Sequence, residues 1–113
     1  MNIKFNKVKI SVTIPVEAVD KVRNVICEAG AGNIGNYSYC TNSVKIIGTF
    51  KPNDSTNPYI GEKNKMAFVE EEKLEMVCDV NNVKKVISKL REVHPYEEPA
   101  IDIIPLLDED IFK

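Results

Sequence analysis

The stretch Val8-Lys9-Ile10-Ser11-Val12-Thr13-Ile14-Pro15 decides how the rest of the chain is read. Val8, Ile10, Val12 and Ile14 alternate with Lys9, Ser11 and Thr13, and a period of two sets the apolar residues on one face of a strand. Pro15 then suits the first turn of a helix, Glu17 and Asp20 complement its positive end, and Val19, Val22, Ile26 and Ala29 recur every three or four residues. The spacing predicts a first helix from Pro15 to about Ala29. Gly30 ends it in a left-handed conformation, and Gly32 and Gly35 keep the following turn tight.

Tyr37 to Ile47 is rich in β-branched and aromatic residues and predicts a second strand, with a bulge at Asn42 and Ser43. Lys51 to Lys65 has no periodicity and is full of turn formers, which predicts a long loop of the kind that is either functional or disordered. Phe68, Leu74, Met76 and Cys78 share strand parity opposite Glu71, Lys73, Glu75 and Val77, giving a third strand with a charged outer face. Asn81 or Asn82 caps a second helix marked by Val83, Val86, Ile87, Leu90 and Val93, and Pro95 stops it. Ala100 to Leu106 is a fourth strand whose Pro105 suits an edge. With right-handed crossovers, this β-α-β-β-α-β order predicts an α+β fold of the ferredoxin-like split β-α-β type, a four-stranded antiparallel sheet with two helices on one face.

The chain has 113 residues, 15 Lys+Arg against 17 Asp+Glu, and a net charge of -2. That length predicts a single domain over residues 1–113, able to bury a core without disulfides. The charge balance gives no general attraction to nucleic acid or to an anionic membrane. Met1 to Val8 contains no apolar run of leader or membrane-span length, which predicts a cytoplasmic protein. Cys27, Cys40 and Cys78 are odd in number and widely spaced, so reduced thiols are expected rather than a disulfide framework or a metal cage.

Two motifs bear on chemistry. Gly30-Ala31-Gly32-Asn33-Ile34-Gly35 matches G-x-G-x-x-G, yet it follows a helix and leads into a strand, the reverse of a dinucleotide site. It would face the helix's negative end, so a cap joined to a tight turn accounts for the glycines. His94-Pro95-Tyr96-Glu97-Glu98-Pro99 gathers an imidazole, a phenol and two carboxylates between stiffening prolines. This segment is either a preorganised ligand site or a hydrogen-bonded turn. The Glu70-Glu71-Glu72 run reads as a solvated strand end, with Glu71 on the opposite face from its neighbours.

Three blocks together carry a family resemblance: Ala29 through Cys40 (AGAGNIGNYSYC), Gly48-Thr49-Phe50-Lys51-Pro52 with Asn57-Pro58-Tyr59-Ile60-Gly61, and His94 through Ala100 (HPYEEPA). The chain resembles the PII-like inserted domain of the NIF-three-like proteins, also called GTP cyclohydrolase I type 2 homologues. Its last block is also similar to the final-strand motif of the CutA divalent-cation-tolerance proteins, whose subunits form trimers. Ile46 and Ser55 stand where the family usually has glycine, Lys73 where it has arginine and Ile101 where it has tyrosine. The resemblance implies that the dinuclear metal site of the full-length relatives lies in flanking domains, so their suggested hydrolase chemistry is not carried over.

The first expectation is therefore a non-catalytic, oligomeric PII/CutA-like module that binds a small ligand or a partner protein. Its candidate ligand-binding residues are Gly30, Gly32, Gly35, Tyr37, Phe50, Lys51, Pro58, Tyr59, Gly61, His94, Tyr96 and Glu97. Second comes a CutA-like divalent-metal protein using His94, Glu97 and Cys40, and third a small enzyme acting through His94 and Tyr96. No cofactor is expected under the first reading, and a divalent metal under the second. The expected partner besides the ligand is the chain itself, as a trimer held through strand edges and the apolar tail of Leu106, Leu107, Ile111 and Phe112.

Overall fold

The computed structural model describes residues 4–113; residues 1–3, the start of the stretch read above for a leader, lie outside them. The elements are β1 (Lys7–Pro15), a 3-10 turn (Val16–Ala18), α1 (Val19–Glu28), β2 (Thr41–Phe50), β3 (Ala67–Asp79), α2 (Val80–Val93), β4 (Ile101–Leu106) and a closing 3-10 turn (Glu109–Phe112). One antiparallel sheet has the order β2-β3-β1-β4, which is the α+β, ferredoxin-like arrangement expected. Val8, Ile10, Val12 and Ile14 turn one face of β1 into the core with Leu74, Met76 and Cys78 of β3. Val19, Val22 and Ile26 of α1 and Val86 and Leu90 of α2 close over them. Each such aliphatic side chain, fully enclosed, contributes about 1.5–3 kcal/mol.

Four local expectations are corrected. Pro15 does not open a helix: its φ of -58° and ψ of 142° keep it extended and paired with Glu71, and α1 starts four residues later. The second strand begins at Thr41 rather than Tyr37, because Ile34 and Tyr37 exchange backbone hydrogen bonds of 2.9 Å in a tight turn and Tyr39 takes a positive φ of 57°. No bulge interrupts it, since Asn42 and Ser43 stand in continuous register with Glu75 and Leu74. Neither Asn81 nor Asn82 caps α2, where Asp79 holds the cap position. Asn82 packs instead against Gly30, whose added Cβ would lie 2.9 Å from its Nδ2.

The long β2–β3 hairpin outruns the helices. Phe68 shares the parity of Leu74, Met76 and Cys78 yet is 72% exposed, because the buried cluster stops at Leu74. The ion pairs among the described residues lie in the helices, the 51–66 loop and the closing turn and join neighbours along the chain, and none crosses from β1 to β3 on the opposite face of the sheet. Among the described residues no helix is long and apolar enough to cross a membrane.

A candidate binding cleft on the open sheet face

Strand register puts Glu71 on the face away from the helices, beside Ile46 of β2 and Pro15 of β1. That face should be wet, yet Glu71 is only 6% exposed. Two features enclose it. Gly48, one pleat along β2, has no side chain, and the Glu71 carboxyl fills the space: a Cβ there would overlap Oε1 and stand 2.8 Å from Cδ. From the other side Tyr96 folds under the sheet, and its phenol donates a 2.7 Å hydrogen bond to Glu71 Oε2.

His94 fixes Tyr96. Helix α2 ends at Val93, and Pro95 forces His94 into an extended conformation (φ -70°, ψ 130°) that turns its ring toward β1. Its Nε2 lies 2.8 Å from the Thr13 carbonyl oxygen, and its Nδ1 accepts the Tyr96 backbone N–H at 3.1 Å. One nitrogen must donate and the other accept, so the ring is the neutral Nε2–H tautomer. Burial lowers its pKa, against smaller opposing effects of the Thr13 carbonyl and Glu71. The Tyr96 phenol is raised well above its ordinary value, first by burial and then by its hydrogen bond to Glu71. It is a hydrogen-bond donor, not a base.

The 51–66 loop folds back over this corner. Asn64 donates its backbone N–H to the Pro52 carbonyl at 2.6 Å, and the Asn57 N–H points at both oxygens of Glu97 at 3.2 and 3.3 Å. Tyr59 reaches Glu17 with a 3.4 Å hydrogen bond from its hydroxyl. Gly61, at φ +95°, leaves room for the Phe50 ring, 3.3 Å from where its Cβ would be. The Phe50 and Tyr59 rings stand 6.3 and 6.2 Å from Tyr96, tilted by 52° and 53°. Between loop, sheet and Tyr96 lies a cleft of about 310 Å³ whose surface is mainly apolar and aromatic, with Glu71, Glu97, Glu98 and Lys51 at its charged positions and threonines between them. Ligand sites have this composition and start at about this size.

The residues singled out from sequence divide into two groups. Phe50, Lys51, Pro58, Tyr59, Tyr96 and Glu97 line the cleft, while Gly61 shapes its loop and His94 stands behind it. Gly30, Gly32, Gly35, Tyr37 and Cys40 lie elsewhere. Ala31 bridges to Cys78 and Gly32 bonds to the Val77 carbonyl, at the far end of β3 from Glu71. Seven residues of strand separate Glu71 from Cys78, about 23 Å at about 3.3 Å each. Cys40 is held there by a 2.8 Å backbone bond to Gly32, so it does not join His94 and Glu97. Glu71 and Gly48 were missed as site residues. The pairing of a glycine in one strand with an isolated, inward-set carboxylate in the next is the signal that could have found them.

His94 and Tyr96 do not form a proton relay. The imidazole receives the tyrosine's backbone N–H, and the phenol is directed to Glu71. Among the described residues no three His, Cys, Asp or Glu side chains cluster at metal-binding distance. Burial pushes the Cys78 thiol up to about 11 and raises Cys27 as well, which keeps both protonated and unreactive at neutral pH.

No protein-family profile matches the chain. It is 48% identical over 101 residues to a GTP cyclohydrolase 1 type 2 homolog of Halalkalibacterium halodurans, covering 89% of this chain and 27% of that one. A solved Bacillus cereus protein related to NIF3 superposes with a TM-score of 0.80 at 36% identity, covering 92% of this chain and 26% of that one. The chain thus spans about a quarter of the length of these relatives. The PII-like protein CutA of Nostoc sp. PCC 7120 superposes with a TM-score of 0.63 at 18% identity, over 93% of this chain and 84% of its own, which is a likeness of fold.

Proposed function

Because the chain is homologous to one segment of the NIF3-related GTP cyclohydrolase 1 type 2 homologues, we propose that it is a non-catalytic, PII/CutA-like, homo-oligomeric module that seats a small ligand or a partner's side chain in the cleft beneath the 51–66 loop. The observation that carries this reading is the enclosure of Glu71 by Gly48, Tyr96 and that loop. A structural turn would need no buried carboxylate bonded to a tyrosine at the wall of an aromatic cleft, whereas a binding site uses a polar group fixed in apolar walls. The relatives' cyclohydrolase name is not transferred, since this chain matches 27% of such a protein. A cytoplasmic setting accords with three unpaired cysteines, and a trimer accords with the exposure of Leu107, Ile111 and Phe112 after β4.

Melting scans against nucleotides, amines and divalent metals test the binding half. A ligand held only by the folded state raises the melting temperature, and Tyr59→Ala, on the cleft's outer wall, should abolish the rise. A rise that survives Tyr59→Ala but is lost in His94→Ala with Cu(II) or Zn(II) would favour metal binding instead. Light scattering after size exclusion tests the assembly half: trimer mass is expected, lost on truncation after Pro105, and monomer mass at micromolar concentration would refute it.

A further inference from the structure

The charge of the cleft is one-sided. Glu71 is buried with the Tyr96 hydroxyl as its hydrogen-bond donor, and none of the ion pairs among the described residues includes it. Glu97 and Glu98 line the rim of the same cleft against one base, Lys51, and all three are exposed, so the buried charge is that of Glu71 alone. A carboxylate taken out of water without a cation is costly, and the cost is recovered when a positive group enters. Phe50, Tyr59 and Tyr96 supply the other half of a cation site. They are tilted walls rather than a parallel stack, Phe50 and Tyr59 each about 6 Å from Tyr96 by ring centroid, and an aromatic face attracts a cation that comes within about 6 Å of its centroid.

Resting on the reading that the cleft binds a ligand, we infer that it takes a small organic cation: a protonated amine carried on an apolar body, its ammonium toward Glu71 and its body among the rings. A phosphate or carboxylate ligand would meet the buried Glu71 inside the cleft and, at its solvated rim, two carboxylates against one lysine. An uncharged ligand would bury Glu71 further and compensate nothing. A bare divalent ion is held by several converging charged or imidazole ligands, and among the described residues no three His, Cys, Asp or Glu side chains converge.

Three probes of one shape separate these cases: benzylamine, benzyl alcohol and benzoate, titrated into the full chain and followed by amide chemical-shift changes. Benzylamine should shift residues 49–60 and 94–98 and bind about tenfold or more tighter than benzyl alcohol, with no saturable shift from benzoate. Glu71→Gln, which can still accept the Tyr96 hydroxyl, should bring benzylamine down to the level of the alcohol. If that variant does not fold, Tyr59→Leu on the exposed loop should weaken benzylamine severalfold with the fold intact, and unchanged affinity would overturn the inference. Benzoate or benzyl alcohol binding in the cleft as tightly as benzylamine overturns the cation assignment and leaves the cleft a binding site. No cleft shift with any of the three overturns the cation assignment, and the cleft reading itself falls only if the melting scans are also silent.

Discussion

Gly48→Ala should destabilise the protein, although nothing about the backbone demands glycine there. Gly48 sits inside β2 in regular register with Val69, and it is absent from the positive-φ positions. In an open strand, replacing glycine by alanine would stabilise by about 0.4–1 kcal/mol, by restricting the unfolded chain. Here the new methyl collides with the Glu71 carboxyl, overlapping Oε1 and standing 2.8 Å from Cδ. A carboxylate in water would swing aside at little cost. Glu71 is covered by loop and ring, so moving it breaks the bond from Tyr96, and a hydrogen bond to a charged group contributes about 1.5–3 kcal/mol. The net loss is about 1–2 kcal/mol, or a fall in melting temperature of about 4–8 °C by the scaling for small domains. The decisive measurement is the same substitution in a Glu71→Ala background, by urea denaturation with both transitions two-state. With the carboxyl gone, Gly48→Ala should become neutral or stabilising by up to about 0.5 kcal/mol, a reversal of sign. Equal destabilisation in both backgrounds would refute the argument that Gly48 exists to house Glu71.

Two further predictions concern single residues. His94 is neutral and its pKa is lowered in the folded state, so below about pH 6.5 the unfolded chain binds more protons and stability falls as pH drops toward the folded value. His94→Gln should flatten the stability profile below about pH 6.5 relative to wild type, and parallel profiles would show that His94 does not titrate on unfolding. Gly32→Val should cost more than about 1 kcal/mol in the same denaturation assay: φ is +76°, and a Cβ would press on the backbone of Cys40 at 3.2 and 3.3 Å. Intact stability would mean that the turn can take up another conformation.

Elements carried by short-range pattern were legible in the sequence, and the cleft was legible only in part. Alternation in Val8 to Ile14 and the three-four spacing of Val19, Val22 and Ile26 report directly on burial, and both match the core. Strand two starts four residues after Tyr37, where β-branched and aromatic composition begins, because Tyr39 adopts φ 57°, which composition does not reveal. Pro95 and the turn formers after Lys51 marked the segments that build the site. Glu71 escaped because parity says only which face a residue occupies. Whether that face is wet depends on a tyrosine 25 positions away and on a loop folding back, neither of which has a periodic signature. The glycines misled in the opposite sense, since a motif dense in one segment serves the packing of α1 against β3 and Asn82 at the far end of the sheet.

The unequal lengths of β1 and β4 have a consequence for how the protein behaves in a crowd. β4 ends its pairing at Val12, so β1 runs on to Pro15 with one edge no longer covered by a strand. An uncovered edge is a template on which another chain can add a strand. The groups that point that way belong to Thr13 and Pro15. Thr13 gives its N–H to the Ala100 carbonyl and its own carbonyl to His94, and Pro15 has no N–H to offer. The imidazole that fixes Tyr96 therefore also works as a bung in the sheet. A variant that loses it would present a short sticky edge, and its failure would show as concentration-dependent aggregation before any loss of helix.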